Sequence, residues 1–304
     1  MKSPHARKLV TLATAAVLAL SLSAAMLLLH ILQRQTESTK DDDVLYIASG
    51  KTLKRMSLGY DGLLADLYWT RAVQYFGRRH HADETGYRLL GPLLRITSDL
   101  DPHLLPTYEY GSVFLAQRPP EGAGDPHAAV ELVRTGIREN PDQWRLYSTL
   151  GFIYSAELKD YRSAAEAFRQ GSQAPGAHPW LAVMAANMAR HGGELATSRY
   201  LWSSVALSTR DNKIFANALK HLRALEAEQD VQQLEAMVAE YRAQTGHPPA
   251  NISELVVSGW LLRIPHDPSG KPYRLGGDGS VLLQDPAAIP FFREDGPVAA
   301  AHRD

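Results

Sequence analysis

The chain has 304 residues, and 32 Lys or Arg stand against 33 Asp or Glu, so no basic excess favours a nucleic-acid partner. Hydrophobic residues make up 45% of the sequence, which is enough for a buried core and excludes disorder of the whole chain. The absence of cysteine excludes disulfides, thiolate metal sites, a cysteine nucleophile and a lipid-modified N-terminal cysteine.

Residues 9–32 form an apolar run of 24 residues without Asp, Glu, Lys or Arg. At about 1.5 Å per residue, a helix of this length spans a hydrocarbon core of about 30 Å. Lys2, Arg7 and Lys8 precede the run, so the sequence predicts a single-pass anchor with a cytoplasmic N-terminus and the body outside. A cleaved signal peptide is the alternative, with Ser21–Ser23 as a small-residue cleavage site.

Residues 33–62 read as a linker, and residues 63–226 read as a series of helices with an internal repeat. Asp101-Pro102 and Asn140-Pro141 end two segments 39 residues apart. Before each break, a small residue precedes an aromatic residue by three positions, which places both on one helix face. These pairs are Ala72 with Tyr75, Gly111 with Phe114, and Gly151 with Tyr154.

The second helix of each repeat carries its own predicted buried stripe. The members are Leu90 and Leu94, Ala129 and Val133, and Ala164 and Phe168. A fourth, weaker unit runs from residue 179 to residue 210, with Ala196 and Tyr200 in the stripe positions.

The third unit, residues 150–171, resembles the tetratricopeptide repeat. The residues that carry the resemblance are Leu150, Gly151, Tyr154, Asp160, Tyr161, Ala164, Phe168 and Pro175. The unit departs from the family pattern by about one inserted residue between Tyr154 and Tyr161. The resemblance covers residues 63–210 and implies a mainly α fold, a solenoid of helical hairpins that binds other proteins.

In tetratricopeptide repeats, the first helix of each unit lines a concave groove. Transferred to the third unit, the groove positions are Arg145, Ser148, Phe152 and Ser155. In the more degenerate second unit they are Leu105, Tyr108, Ser112 and Leu115. The resemblance therefore implies a protein-binding surface in which Arg145, Phe152 and Tyr108 are the residue types that dominate interface energies.

Residues 212–226 and 230–245 read as two further helices, the second ending at Gly246 as a C-cap. His247-Pro248-Pro249 then breaks the chain, and residues 252–260 read as a short helix capped by Asn251 or Ser253. The segment Gly276–Gly279 predicts a hairpin turn between strands at residues 273–275 and 280–283.

This order resembles the periplasmic head of the major pseudopilins of type II secretion systems. Tyr241, Gly246 and Pro249 match one family phrase, and the second match comprises Asp267, Pro268, Gly270, Pro272 and Tyr273. The resemblance implies a small α+β cap at residues 227–286, followed by a flexible tail at residues 287–304. The repeat array stands where a pseudopilin has its hydrophobic helix, and the family's calcium-binding segment has no counterpart.

The sequence carries no catalytic or nucleotide-binding signature, so we expect no enzyme and no cofactor. His80, His81, Asp83 and Glu84 form the densest ionisable cluster, but such a run between helices is typical of a solvated connector rather than a metal site. Asp66 lies among apolar residues, so we expect it to be buried and paired, because a buried unpaired carboxylate is costly.

These patterns together predict a scaffold anchored in the bacterial inner membrane, with its body in the periplasm and protein partners. The cap favours assembly of a type II secretion or type IV pilus system. The alternative is an interaction or quality-control module for another envelope process, such as polysaccharide export.

Overall fold

The computed structural model describes residues 49–81 and 86–293, together with the isolated positions Leu18, Ser21, Ser23 and Met26. The chain divides into two compact units, Met1–Ala48 and Ser49–Asp304. Almost all of the predicted anchor, residues 9–32, lies outside the described part. None of the helices in the described part is both long enough and apolar enough to cross a bilayer.

The described part of the second unit is mainly helical, with one two-stranded antiparallel sheet, as the sequence predicts. The helices are α1 (Gly50–Met56), α2 (Asp61–His81), α3 (Leu90–Leu100), α4 (Leu105–Glu109), α5 (Gly111–Ala116), α6 (Pro126–Glu139), α7 (Trp144–Phe152), α8 (Tyr161–Ser172), α9 (Trp180–His191), α10 (Leu195–Ser208), α11 (Asn212–Thr245) and α12 (Ile252–Val257). The strands are β1 (Arg274–Leu275) and β2 (Val281–Leu282).

Helices that follow one another along the chain pack against one another. This holds from α5 to α11 without interruption, and α2 packs on α3 in the same way. Helix α1 packs on α3, so the compact unit begins at Ser49 rather than at the predicted linker end, residue 62. The close contact arises because the Gly50 position faces the Asp99 side chain, which leaves no space for a Cβ atom.

The small residues of the predicted repeat lie where helices approach most closely. A Cβ atom on Gly151 would stand 2.7 Å from Cζ of Phe168, and one on Gly111 would stand 2.6 Å from Cδ2 of Leu94. Both distances are shorter than any normal carbon–carbon contact, so only glycine fits. The predicted stripes of the second helices are also confirmed, because the following residues are all fully buried: Leu90, Leu94, Ala129, Val133, Ala164 and Phe168.

A π-helical turn follows α7 in the segment where the sequence departs from the tetratricopeptide pattern. Residues Ile153–Glu157 form this turn directly after α7, and the amide of Leu158 donates to the carbonyl of Ile153 at 3.2 Å, five residues earlier. A π turn takes up one extra residue without breaking the helix. Tyr154 lies in this turn and is buried on the core side.

The predicted stripe of the fourth unit is wrong, although its helical pair is present as α9 and α10. Ala196 and Tyr200 are exposed, Tyr200 to 72%. Helix α10 instead buries Ser198, Leu201, Trp202 and Val205. The buried face of α10 follows its own large apolar residues and not the register carried over from the earlier units.

Helix α11 runs through 34 residues where the sequence predicted two helices, so the predicted boundary at residue 226 falls inside it. The Asp211 carboxylate caps its start by accepting the Lys213 amide at 2.7 Å. Gly246 ends it in the left-handed conformation, at φ 83°, as predicted. Glu228 lies inside the predicted break, and its buried carboxylate pairs with Arg190 of α9 at 2.5 Å.

The C-terminal cap packs on the second half of α11. Ala224, Ala227, Val231 and Leu234 of the helix share one apolar cluster with residues of the cap, namely Ile252, Tyr273, Val281, Leu283 and Ile289. Asn251 caps α12 by accepting the Glu254 amide at 3.0 Å. Strands β1 and β2 pair with Arg274 opposite Leu282, which confirms the predicted hairpin.

The predicted flexible tail is wrong for residues 287–293. Ile289 is buried, and the ring of Phe291 stacks on His221 with 4.0 Å between centroids. The guanidinium of Arg293 donates to the Glu235 carboxylate at 3.0 Å. This segment is ordered because it covers apolar surface of α11 and completes its polar contacts.

The expectation for Asp66 is also wrong, because its side chain is exposed. Helix α2 buries Ala65, Ala72 and Tyr75 and turns Leu63 and Leu67 outward, at 59% and 57% exposure. Asp66 shares this outward side, where water solvates its charge.

Candidate functional site

An exposed stripe of α7 and its π turn forms the candidate site. Arg145, Thr149, Phe152 and Ala156 follow one another at steps of four, three and four residues, which places them on one helix face. Arg145, Phe152 and Ala156 are exposed and Thr149 is half-buried. We call this stripe, together with Trp180 of α9, the aromatic face.

Phe152 is the centre of the aromatic face, because it is a large apolar side chain that stays 45% exposed. One side of its ring stacks on Trp180, with 5.8 Å between ring centroids, and its edge meets the buried Phe168 at 5.3 Å. Phe152 therefore has packing contacts as well as an exposed surface. These contacts hold the ring in place while leaving nearly half of its surface open to a partner.

Two charged side chains, Arg145 and Glu109, lie at the end of the aromatic face where α7 begins. The Arg145 guanidinium lies over the Trp144 ring, 4.8 Å from its centroid. It is also near Glu109 at the end of α4, where burial raises the pKa of the carboxyl and the positive charge of Arg145 opposes that rise. A partner with an apolar side chain and a nearby acidic group would therefore meet both an aromatic and a cationic surface.

Four of the predicted groove residues are buried in the core, so these predictions are wrong: Tyr108, Ser112, Leu115 and Ser148. Tyr108 is fully buried, because its ring fills the space beside Gly136, where a Cβ atom would lie 2.5 Å from the ring. Its hydroxyl donates to the Pro102 carbonyl at 3.1 Å, and burial raises the pKa of this hydroxyl. Ser148 is buried because it precedes Thr149 by one position, which turns it by about 100° around the helix, away from the exposed stripe.

Ser155 lies beside the aromatic face and is half-buried. Its hydroxyl donates to the Phe152 carbonyl at 3.2 Å, so the side chain folds back on the π turn. Arg145 and Phe152 therefore remain as exposed predicted binding residues, with Ser155 at their edge.

Sequence reasoning missed Trp180 and Glu109. Trp180 begins α9, twenty-eight residues after Phe152, and no local periodicity connects the two rings. Gly136 was missed as well, although it offers a signal: a glycine inside an amphipathic helix costs about 1 kcal/mol relative to alanine, which indicates a packing need. That signal places a large neighbour against α6 and would have marked Tyr108 as buried.

A second concave surface lies between α8, α9, α10 and the start of α11. It is a cleft of about 750 Å³. Apolar wall residues include Leu201, Val205 and Ile214, and its polar rim includes Arg169, His178 and Arg210. The exposed Tyr200 ring also lines this cleft.

In the described part of the chain, no three His, Asp or Glu side chains come together as metal ligands. His80 lies 3.1 Å from the Pro120 carbonyl through Nδ1, and residues 82–85 of the predicted ionisable cluster are outside the described part. No protein-family model matches the chain, and a search of curated proteins gives no match.

Proposed function

We propose that this chain is a membrane-anchored scaffold of the bacterial envelope that binds another protein through the aromatic face. The observation that carries the proposal is Phe152, which is fixed by Trp180 and Phe168 yet 45% exposed. Anchored aromatic and arginine side chains are the groups that contribute most of the binding energy at protein interfaces.

The resemblance to tetratricopeptide repeats supports this proposal. Successive helices pack in chain order, and Gly111 and Gly151 occupy contacts too close for a side chain. An array of this kind is built from local contacts and offers an extended surface to other chains. The exposed stripe of α7 lies on the first helix of its pair, where that family binds its partners.

The cap supports a place in a secretion or pilus system. The long helix ending at Gly246, the short helix α12 and the hairpin of β1 and β2 follow the order of the pseudopilin head that the sequence resembles. In this chain, the cap covers the end of the helical array. We therefore propose assembly of a type II secretion or type IV pilus machine as the process.

The membrane location rests on the sequence of residues 9–32 and on the basic residues before it. A scaffold held in the inner membrane with its body in the periplasm would present the aromatic face to envelope components. The rival process, such as polysaccharide export, shares this location and differs in the identity of the partner.

Two single variants, one on the aromatic face and one as its control, test the binding role. Phe152→Ala removes the exposed ring, and Phe215→Ala on α11 removes a ring of almost equal exposure, 44%, away from the aromatic face. We expect Phe152→Ala to keep the helical circular dichroism of the wild type and to lose at least about tenfold in partner capture, or about 1.4 kcal/mol. Capture is measured by crosslinking and pull-down of the full anchored chain from its native membranes.

Equal capture by both variants and the wild type would overturn the aromatic face as the binding surface. A several-kcal/mol loss of stability in Phe152→Ala, as core Phe→Ala changes give, would place Phe152 in the core instead. The captured chain also separates the two processes, because a pilus or secretion component supports the first and a polysaccharide-export component supports the second.

A further inference from the structure

A compact group of exposed apolar side chains lies at the start of the helical unit. Met56, Leu58, Tyr60, Leu63 and Leu67 fall within twelve residues, and each is more than half exposed. Leu58 reaches 89% and Tyr60 reaches 68%. We call these five residues the N-terminal patch.

The patch is continuous because most of it follows one helical stripe. Tyr60, Leu63 and Leu67 are spaced by three and four residues, and the Leu64 amide donates to the Tyr60 carbonyl at 3.0 Å, so the helical path starts at Tyr60. Leu58 lies in the tight turn before it, in which the Tyr60 amide donates to Ser57 at 2.9 Å. The opposite side of α2 is the buried one, so the patch faces away from the protein core.

Basic side chains adjoin this apolar surface. Helix α1 buries Leu53 and exposes Lys51, Lys54 and Arg55. Residues 51–71 contain four basic residues, including Arg71, against the two carboxylates Asp61 and Asp66. An apolar stripe beside an excess of Lys and Arg is the composition of helices that lie in a membrane interface.

The position of the patch in the sequence indicates that a membrane covers it. The apolar run 9–32 ends only 24 residues before Met56. Sixteen residues, 33–48, separate the run from Ser49, and a stretch of sixteen residues reaches at most about 58 Å when fully extended. The patch is therefore held within reach of whichever bilayer contains residues 9–32.

We propose that the N-terminal patch lies in the headgroup region of the bilayer that anchors the chain, with Lys51 and Arg55 against anionic lipid headgroups. This inference rests on the proposed membrane anchoring. It adds a second membrane contact, which holds the helical unit on the membrane surface.

The absence of cysteine in the wild-type chain allows a direct test. Leu63→Cys, Leu67→Cys and Val257→Cys are each labelled with an environment-sensitive fluorophore in the full chain, reconstituted into phosphatidylglycerol vesicles. Val257 of α12 is the control, since it is 89% exposed and far along the chain from the patch. Leu20→Cys, inside the apolar run, reports the anchor itself.

We expect blue-shifted emission at positions 63 and 67, and quenching there by lipids that carry a nitroxide near the headgroup. Position 257 should be quenched only by a water-soluble quencher. Lys51→Glu combined with Arg55→Glu should reduce lipid quenching at position 63 in phosphatidylglycerol vesicles.

Water-accessible labels at positions 63 and 67, with a lipid-quenched label at position 20, would overturn the patch contact and leave the anchor in place. Labels at 63 and 67 that neither quencher reaches would also overturn it, because the patch would then be covered by protein. A water-accessible label at position 20 would overturn the proposed anchoring.

Discussion

The helical array and the cap both contain many glycines, but they need glycine for different reasons. In the array, Gly136 and Gly151 have ordinary helical backbones, and a Cβ atom at either position would meet an aromatic ring at 2.5 or 2.7 Å. In the cap, Gly246 and Gly270 have φ values of 83° and 87°, and nothing lies within 4 Å of their Cβ positions. At these two array positions side-chain packing requires glycine, and at these two cap positions the left-handed backbone conformation requires it.

A further set of contacts joins the two regions through α11. The Arg190 guanidinium of the array donates to the Glu228 carboxylate and to the Phe291 carbonyl of the cap's last segment. Glu228 also accepts the Arg293 amide at 2.9 Å. The junction therefore adds a buried charge pair to the apolar cluster that α11 shares with the cap.

The largest expected effect is at this junction. Glu228→Ala leaves Arg190, whose side chain is only 10% exposed, without its partner, and breaking such a buried pair costs about 3–5 kcal/mol. The control is Glu166→Ala on α8, which removes a carboxylate that is 49% exposed in its pair with Arg169, so a loss below about 1 kcal/mol is expected. Urea unfolding measures both, and equal losses would show that the buried pair is not what joins the regions.

Within the array, Gly151→Leu is expected to destabilise the fold by about 1–3 kcal/mol, because the new side chain overpacks the contact with Phe168. Gly77→Ala is the matched control in α2, since no atom lies within 4 Å of its Cβ position, and alanine there should raise stability by up to about 1 kcal/mol. Thermal unfolding of the two variants checks the contrast. An unchanged melting temperature for Gly151→Leu would place that residue on the surface.

In the cap, Gly246→Ala is expected to cost about 1–2 kcal/mol, because an L-residue is strained in the left-handed conformation. Gly246→Asn should cost less, since asparagine tolerates this conformation better than alanine does. Denaturant unfolding ranks the three proteins. If alanine and asparagine give the same stability as glycine, the helix does not end in the left-handed turn.

At neutral pH the smallest effect concerns His221, which is stacked between Trp202 and Phe291 at 4.0 Å on each side. Burial, with the positive charge of Arg190, lowers the pKa of His221 from 6.5 to about 4. The unfolded chain therefore binds the proton more tightly than the folded chain does. The contribution of neutral His221 to the free energy of unfolding is present above pH 6.5 and is lost as the pH falls from 6.5 to about 4.

His221→Phe keeps a ring in the stack and removes the titration. Over this pH range, the melting temperature of the variant should fall less than that of the wild type. Parallel curves would show that His221 titrates alike in the folded and unfolded chains.

The sequence predicted those features of the array that depend on local spacing. The burial of Ala164 and Phe168 and the close contact at Gly151 follow from helical periodicity, and the π turn lies in the segment where the sequence departs from the repeat pattern. The register failed at Tyr200, because burial on α10 follows Trp202 and its neighbours rather than the spacing of earlier units.

The remaining errors come from contacts between distant residues. The sequence predicted a break between residues 226 and 230, but α11 continues through it, and Glu228 in this stretch pairs with Arg190, 38 residues earlier. The exposure of Phe152 could be predicted from its position on the helix, whereas its contact with Trp180 could not, because Trp180 lies twenty-eight residues further along the chain. Tyr108 was placed in the groove since the second unit carries the family pattern too weakly to fix which face is buried.

The central claim is that a partner protein contacts the aromatic face, and site-specific photocrosslinking tests this most directly. A photoreactive amino acid is introduced in the full anchored chain at position 152, and at position 215 as the exposed control. We expect one discrete crosslinked product from position 152, sharply weakened by Arg145→Glu, and no such product from position 215. Crosslinking that is equal at the two positions, or absent at 152 while the chain is folded and membrane-bound, would contradict the claim.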